Sequence, residues 1–204
     1  MLDPLSGLGT AILVFAVTDI DDLVLLAAFF GDKHLRPRAI VMGQFAGIAL
    51  LTAASALAAW AAIAIPPGWI SLLGLLPLGL GLSKLRELWR HRTADDDEAL
   101  EAVQAERRLE GKLHSQILGV AAVTVANGAD NLSVYIPLFA ANFAALPLFV
   151  VVFAVMTAIW CVLGYALVRN PAGAAVMNRW GHILLPIVLI ALGLHILWGA
   201  AVLL

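Results

Sequence analysis

Two short polar motifs interrupt strongly apolar stretches of the chain, at Thr18–Asp22 (TDIDD) and at Asn127–Asn131 (NGADN). Their side chains offer four carboxylates and three neutral oxygen or amide groups, from Asp19, Asp21, Asp22, Asp130, Thr18, Asn127 and Asn131. A set of oxygen ligands that carries several negative charges suits a hard divalent cation such as magnesium, calcium or manganese. The motifs therefore predict a cation site.

The apolar surroundings of these acids sharpen this prediction. One ionised carboxylate at the centre of a membrane span costs roughly 2.5–3.5 kcal/mol on insertion scales. Because the Lys and Arg side chains all lie in loops or next to them at the ends of spans, none is expected to neutralise the acids. They must therefore be protonated, face water or bind a cation, and all three options fit a transport site. A protonated acid that is hydrogen-bonded between helices is the structural alternative, and it suits one Asp better than four.

The elements that carry the motifs are predicted to be membrane helices. The chain is 62% hydrophobic and only 13% charged, with a mean hydropathy of +0.97, whereas soluble domains are about half apolar and about a quarter charged. Six stretches are long enough to cross about 30 Å of hydrocarbon. They are residues 7–30, 39–64, 69–89, 115–140, 146–168 and 181–203. The first is expected to be retained as a span, because no Lys or Arg precedes it as in a signal peptide.

Charge fixes the predicted orientation. The 12 Lys and Arg residues fall in or beside the first, third and fifth loops, and the other loops and both termini carry none. The positive-inside rule places those three loops in the cytoplasm. We therefore expect a multi-pass protein of the bacterial inner membrane with both termini extracytoplasmic. The net charge of −2 gives no case for nucleic acid, and the single cysteine excludes a thiolate metal cage.

The two motifs also suggest a duplication. Residues 1–90 and 115–204 each hold three predicted spans, joined by a polar linker at 91–114. An odd number of spans in each half forces the halves into opposite orientations, and such inverted repeats place a substrate site at their interface. The linker could be a solvated helix, a metal-catching loop or a regulatory element. His195 in the sixth span could relay protons or simply pack.

Local geometry adds three expectations. Asp19 and Asp22 share one face of a helix at spacing i, i+3. Gly128 favours a locally loosened helix in the fourth span, and the small residues around Gln44 in Gly43–Gly47 allow close helix approach in the second span.

Four segments carry a resemblance to a known family. They are Thr18–Leu26 (TDIDDLVLL), Gly43–Gly47 (GQFAG), Leu73–Leu82 (LGLLPLGLGL) and Thr124–Phe139 (TVANGADNLSVYIPLF). In this order they resemble the cadmium-resistance transporter family within the lysine-exporter superfamily. The resemblance implies an exporter of cadmium or a related divalent ion, built from three plus three helices.

The resemblance also implies functional positions. Asp21, Asp130 and Asn131 would handle the metal, with Asp22 and Asp19 as helpers. Family members commonly have Asn or a small residue at the position of Asp19, and they can carry a cysteine near the position of Asn127. With an additional carboxylate and no thiol, this chain offers a harder set of ligands, in the hard–soft sense, than those family members do.

These expectations define a secondary transporter that exchanges a cytoplasmic divalent cation for protons in the bilayer, without a resident cofactor. No Walker A motif is present, which argues against an ATP-driven pump, and a homodimer is left open. The alternative is an exporter of an organic cation, either a quaternary amine or an amino acid, for which aromatic residues such as Tyr135 would provide the contacts. An intramembrane aspartyl enzyme or a structural subunit fits less well, and the chain is predicted not to be an enzyme.

Overall fold

The computed structural model describes residues 4–62, 72–90, 113–128 and 130–169, together with single positions between 187 and 198. In this part of the chain every regular element is helical, which confirms the predicted all-α class. Seven α-helices follow in order: α1 (Pro4–Thr18), α2 (Ile20–Gly31), α3 (Pro37–Ala62), α4 (Leu75–Arg90), α5 (Leu113–Asn127), α6 (Leu132–Ala141) and α7 (Leu146–Arg169). Most of the predicted sixth span at 181–203, most of the linker at 91–114, and His195 lie outside the described residues.

Several helices have the length and composition of membrane spans. Pro37–Ala62 and Phe143–Arg169, with 26 and 27 residues, are long and apolar enough to cross a bilayer on their own. Helices α5 and α6 form a pair that bends by 75° and provides a third candidate span. The predicted spans at 39–64, 115–140 and 146–168 coincide with these elements to within a few residues.

Two helices are interrupted at the polar motifs. In the fourth predicted span, α5 ends at Asn127 and α6 begins at Leu132, so the loosening predicted around Gly128 is a complete break. In the first predicted span, α1 and α2 are separated at Asp19, whose φ of −105° and ψ of 21° leave the helical region. No glycine or proline lies at this second break, and the sequence had given no reason to expect it.

The helices pack in a reciprocal pattern. Helices α5 and α6 lie along α3, whereas α1 and α2 lie along α7. Glycines allow the closest approaches: a Cβ added at Gly43 or Gly47 would lie 2.5 or 2.6 Å from side-chain atoms of α5, and one added at Gly164 would lie 2.6 Å from Leu26. The close helix approach predicted for the Gly43–Gly47 stretch is thereby confirmed.

Contacts near the helix ends define two sides of the bundle. Gln116, at the start of α5, donates to the His34 carbonyl at 3.0 Å and accepts from the Arg36 N–H at 3.3 Å. The centroids of the Phe30 and Tyr165 rings are 5.5 Å apart. The loop after α2, the start of α5 and the end of α7 therefore share one side, here called the loop side.

The opposite side, here called the far side, collects the other ends. Gly7 of α1 lies against Leu148 at the start of α7, and the rings of Phe139 and Phe149 are 5.6 Å apart. The start of α1, the end of α6 and the start of α7 therefore meet there. Both helix breaks lie between the loop side and the far side.

Candidate functional site

Asp22 is the centre of a first hydrogen-bond network that joins α2, α3 and α5. Its carboxylate accepts from Gln44 Nε2 at 2.6 Å on one oxygen and from Asn127 Nδ2 at 2.7 Å on the other. The Thr124 hydroxyl donates to Gln44 Oε1 at 2.8 Å and fixes the orientation of that amide. Asp22, Gln44 and Thr124 are buried. The donors are neutral, so they hold the carboxylate without cancelling its charge.

Asp19 is the centre of a second network, which joins the two helix breaks. Asn131 Nδ2 donates to one carboxylate oxygen at 3.0 Å. The Tyr135 and Thr18 hydroxyls donate to the other oxygen at 2.6 and 2.9 Å. Asp19 and Tyr135 are fully buried. The carboxylate of one motif is therefore held by side chains of the other motif and of the helix that follows it.

The backbone at Asp19 has its own partner. Asp19 is the N-cap residue of α2, so its carbonyl accepts the first hydrogen bond of that helix, and a carbonyl oxygen can accept a second one. Here Trp160 Nε1 of α7 donates to the Asp19 carbonyl at 2.6 Å. The Trp160 ring stands edge-on to Phe15, with the ring centroids 5.5 Å apart. This contact ties α7 to a break at a residue that is neither glycine nor proline.

The two remaining acids are less buried. Asp21 and Asp130 are both partly exposed, and Asp21 Oδ1 accepts from the Asp22 N–H at 3.0 Å. Asp130 lies in the break between α5 and α6, where its carbonyl accepts from the Ser133 hydroxyl at 2.6 Å. Asp130 is near enough to Asp22 for their charges to repel each other. The acids of the two motifs therefore share one region of the protein.

An aromatic cluster covers the Asp19 network on the far side. Tyr135 packs against Phe153 with 4.8 Å between the ring centroids, and Phe15 packs against Phe153 at 5.2 Å. The rings of Phe139 and Phe149 extend the cluster toward the helix ends. The Asp22 network lies on the other side of Asp19, toward the loop side, where its neighbours Asn127 and Asp130 are partly exposed.

The structure thus brings together the residues singled out from the sequence, but it assigns them different surroundings. In the described part of the chain, no three carboxylate, imidazole or thiol side chains lie close enough together to hold a metal ion. A cation at this place would need carboxamide, hydroxyl or backbone oxygens beside the carboxylates. It would also have to displace N–H and O–H donors from Asp19 or Asp22.

Sequence reasoning missed part of the two networks. Thr124 and Tyr135 lie within the segment that carried the resemblance, yet nothing in the sequence distinguished them as partners of Gln44 and Asp19. Trp160 lies in a span without a polar motif, so no sequence signal pointed to it. Only the packing of α7 against α1 and α2 reveals its contact.

Comparisons with known proteins identify a transporter family that includes both polar motifs. The family model described as cadmium resistance transporter matches residues 15–203, which include both polar motifs and nearly the whole chain. No curated protein and no solved structure gave a match. Apolar helices long enough to span a bilayer fit a membrane transporter. The chain belongs to the cadmium resistance transporter family.

Proposed function

We propose that this protein is a secondary exporter that moves a divalent metal cation, cadmium or a related ion, out of the cytoplasm in exchange for protons. The observation that carries the proposal is the pair of buried carboxylates, Asp19 and Asp22, whose donors within the described residues are all neutral. Such acids retain a negative charge that a cation or a proton can neutralise. A transporter can use this property, whereas a purely structural subunit gains nothing from it.

The proposed architecture consists of six spans in two inverted three-helix repeats with both termini extracytoplasmic. Its support is the reciprocal packing, in which α5 and α6 lie along α3 as α1 and α2 lie along α7. A pseudo-two-fold relation between halves generates such a pattern. Lys33, Arg36 and Arg38 lie in or next to the loop after α2, and Arg169 ends α7 on the same side. By the positive-inside rule we assign the loop side to the cytoplasm of a bacterial inner membrane.

We place the transport site between the two motifs, where the acids of both halves repel each other. The residues of this region are Asp21, Asp130, Asn131, Asp22, Asp19, Asn127 and Thr18, either as ligands of the ion or as residues that position those ligands. Ionised carboxylates would bind the cation on the cytoplasmic side, and protonation from outside would release it. Rocking of one half against the other would give alternating access. Broken helices suit this task because they place non-helical backbone and polar side chains at the interface of the halves.

Transport into everted inner-membrane vesicles tests the proposal. Wild-type vesicles with an acidic interior should accumulate cadmium, zinc or manganese, and an ionophore that collapses the proton gradient should abolish the accumulation. Asp130→Asn and Asp21→Asn should each lower the initial rate by at least about tenfold, because each removes a negative charge that faces the ion.

Asp32→Asn is the matched control. Asp32 follows α2 in the loop, and its carboxylate accepts a hydrogen bond from the His34 N–H at 2.8 Å, which an asparagine can retain. This variant should transport like the wild type. If both Asp130→Asn and Asp21→Asn still export all three metals normally, the site is wrong. If the wild type moves none of the metals but moves a quaternary amine, the substrate class is wrong.

A further inference from the structure

Building on this proposed function, we propose that the two central acids have different roles. Asp22 binds the transported cation, whereas Asp19 is a positioning residue that holds the two helix breaks against each other. The distinction rests on which elements each carboxylate joins and on which side of the site each one lies.

The carboxylates of Asp22 and Asp19 differ in how close they lie to the loop side. Asp22 lies toward the loop side, and its neighbours Asn127, Asp21 and Asp130 are partly exposed. An ion that arrives from the loop side would therefore meet these groups first. Asp19 lies deeper, and Asn131, Tyr135 and Thr18 are all buried around it.

The donors around Asp19 are arranged to hold a fixed geometry. Its carboxylate is bonded from the break between α5 and α6 through Asn131 and from α6 through Tyr135. Its carbonyl is bonded from α7 through Trp160. Asp19 therefore connects its own break to the break between α5 and α6, and to α7. A cation that displaced its donors would release these contacts together.

The donors around Asp22 can instead become ligands. Gln44 and Asn127 are carboxamides, and each carries an oxygen that could turn toward a cation once the cation replaces the hydrogen bond to Asp22. Thr124 tolerates this reversal at Gln44, because a hydroxyl can accept from the amide nitrogen as readily as it donates to the amide oxygen. Asp22, Gln44 and Asn127 would thus supply one charged and two neutral oxygens, an all-oxygen set that suits a hard divalent ion.

The hydrogen bonds allow the two roles to be separated by conservative variants. In Asp19→Asn, the remaining oxygen can still accept from Asn131, and the new amide can donate to the Tyr135 and Thr18 oxygens. Thr18 can then give its own proton to the Val14 carbonyl, which already lies 2.8 Å away. The hydrogen bonds that join the breaks can therefore form again without the charge, whereas Asp19→Leu cannot form them.

The experiment measures cadmium binding to the purified full-length protein by competition with a chromophoric chelator, and the concentration dependence of cadmium transport in vesicles. Asp19→Asn should keep the dissociation constant and KM within about threefold of the wild-type values, so that any effect is on the maximal rate. Asp22→Asn should raise both the dissociation constant and KM by at least about tenfold. Asp19→Leu should lose transport, and the Asn variant should restore it. That rescue is not expected at Asp22, where Asp22→Asn should bind cadmium no better than Asp22→Leu.

Equal weakening of binding by Asp19→Asn and Asp22→Asn would overturn the division of roles, as would normal binding by Asp22→Asn. If Asp19→Asn does not fold, Tyr135→Phe serves in its place, because it removes only one donor to Asp19 and should leave the dissociation constant close to that of the wild type. A tenfold loss of affinity in that variant, at unchanged thermal stability, would contradict the inference. If the wild type binds and transports no divalent cation, the proposed function itself fails, and the division of roles fails with it.

Discussion

The approach of α3 to α5 yields a sharp prediction, which concerns Gly43. A Cβ added at this position would lie 2.5 Å from the Cβ of Val120 and 2.8 Å from the backbone carbonyl of Ile117. Neither atom belongs to the flexible end of a side chain. Carbon atoms pack at about 3.5–4.0 Å, so Gly43→Ala has to separate the two helices locally by roughly 1–1.5 Å.

This separation reaches the adjacent residue of the site. Gln44 accepts from Thr124 across the same interface at 2.8 Å, and a shift of that size exceeds the range of a hydrogen bond. Overpacking costs typically about 1–3 kcal/mol, and the lost hydrogen bond adds about 1 kcal/mol. We therefore expect Gly43→Ala to lower the free energy of unfolding by roughly 2–4 kcal/mol and to impair cadmium export.

Reversible unfolding in mixed detergent micelles measures the stability, and vesicle uptake measures the export. Gly9→Ala is the control, because a Cβ at this position of α1 meets nothing within 4 Å. It should be neutral or stabilising by up to about 1 kcal/mol, the difference in helix propensity between Ala and Gly. Adding Val120→Ala to Gly43→Ala should not restore stability, because alanine keeps the Cβ that causes the closest contact.

Wild-type stability of Gly43→Ala would refute the reasoning, since it would mean that the helices are not as close as the structure places them. Rescue by Val120→Ala would also count against it. That result would show that the γ-carbons of Val120 cause the clash, rather than its Cβ and the backbone of α5.

Three further substitutions can be checked by the same unfolding measurement. Trp160→Phe keeps an aromatic ring but removes the N–H that donates to the Asp19 carbonyl, so it should destabilise by about 1 kcal/mol, and wild-type stability would contradict that role. Gly164→Ala places a Cβ 2.6 Å from the Cβ of Leu26 and should cost about 1–3 kcal/mol, whereas no cost would argue against the tight packing of α7 on α2. Thr52→Val should be neutral or stabilising by up to about 1 kcal/mol, because the buried Thr52 hydroxyl has no hydrogen-bond partner among the described residues, and a clear loss of stability would reveal a missed partner.

Much of this arrangement follows from local properties that a single sequence carries. The apolar runs predicted the spans at 39–64 and 146–168, because their length and composition match the thickness of a bilayer. Gly128 predicted the weak point of the fourth span, and the small residues around Gln44 predicted a close helix approach. Each of these features depends on residue type at one place in the chain, so no knowledge of the fold was needed.

The partners of the acids could not be predicted in the same way. Spacing placed Asp19 and Asp22 on one helical face, and they are the two most deeply buried acids among those described. Which donors meet that face depends on the rotation and tilt of the neighbouring helices. These quantities result from the summed packing of many apolar residues. Thr124 and Tyr135 are ordinary residues for a membrane helix until that packing aligns them with Gln44 and Asp19.

The break at Asp19 makes the same point for the backbone. Helix propensity offers no reason for it. The break is held in place by the Trp160 N–H of α7, which binds the Asp19 carbonyl, and by Asn131 and Tyr135, which bind the Asp19 side chain. These donors come from residues more than 100 positions away in the sequence. The site is therefore a property of the contact between the two polar motifs, and neither motif contains enough information to specify it alone.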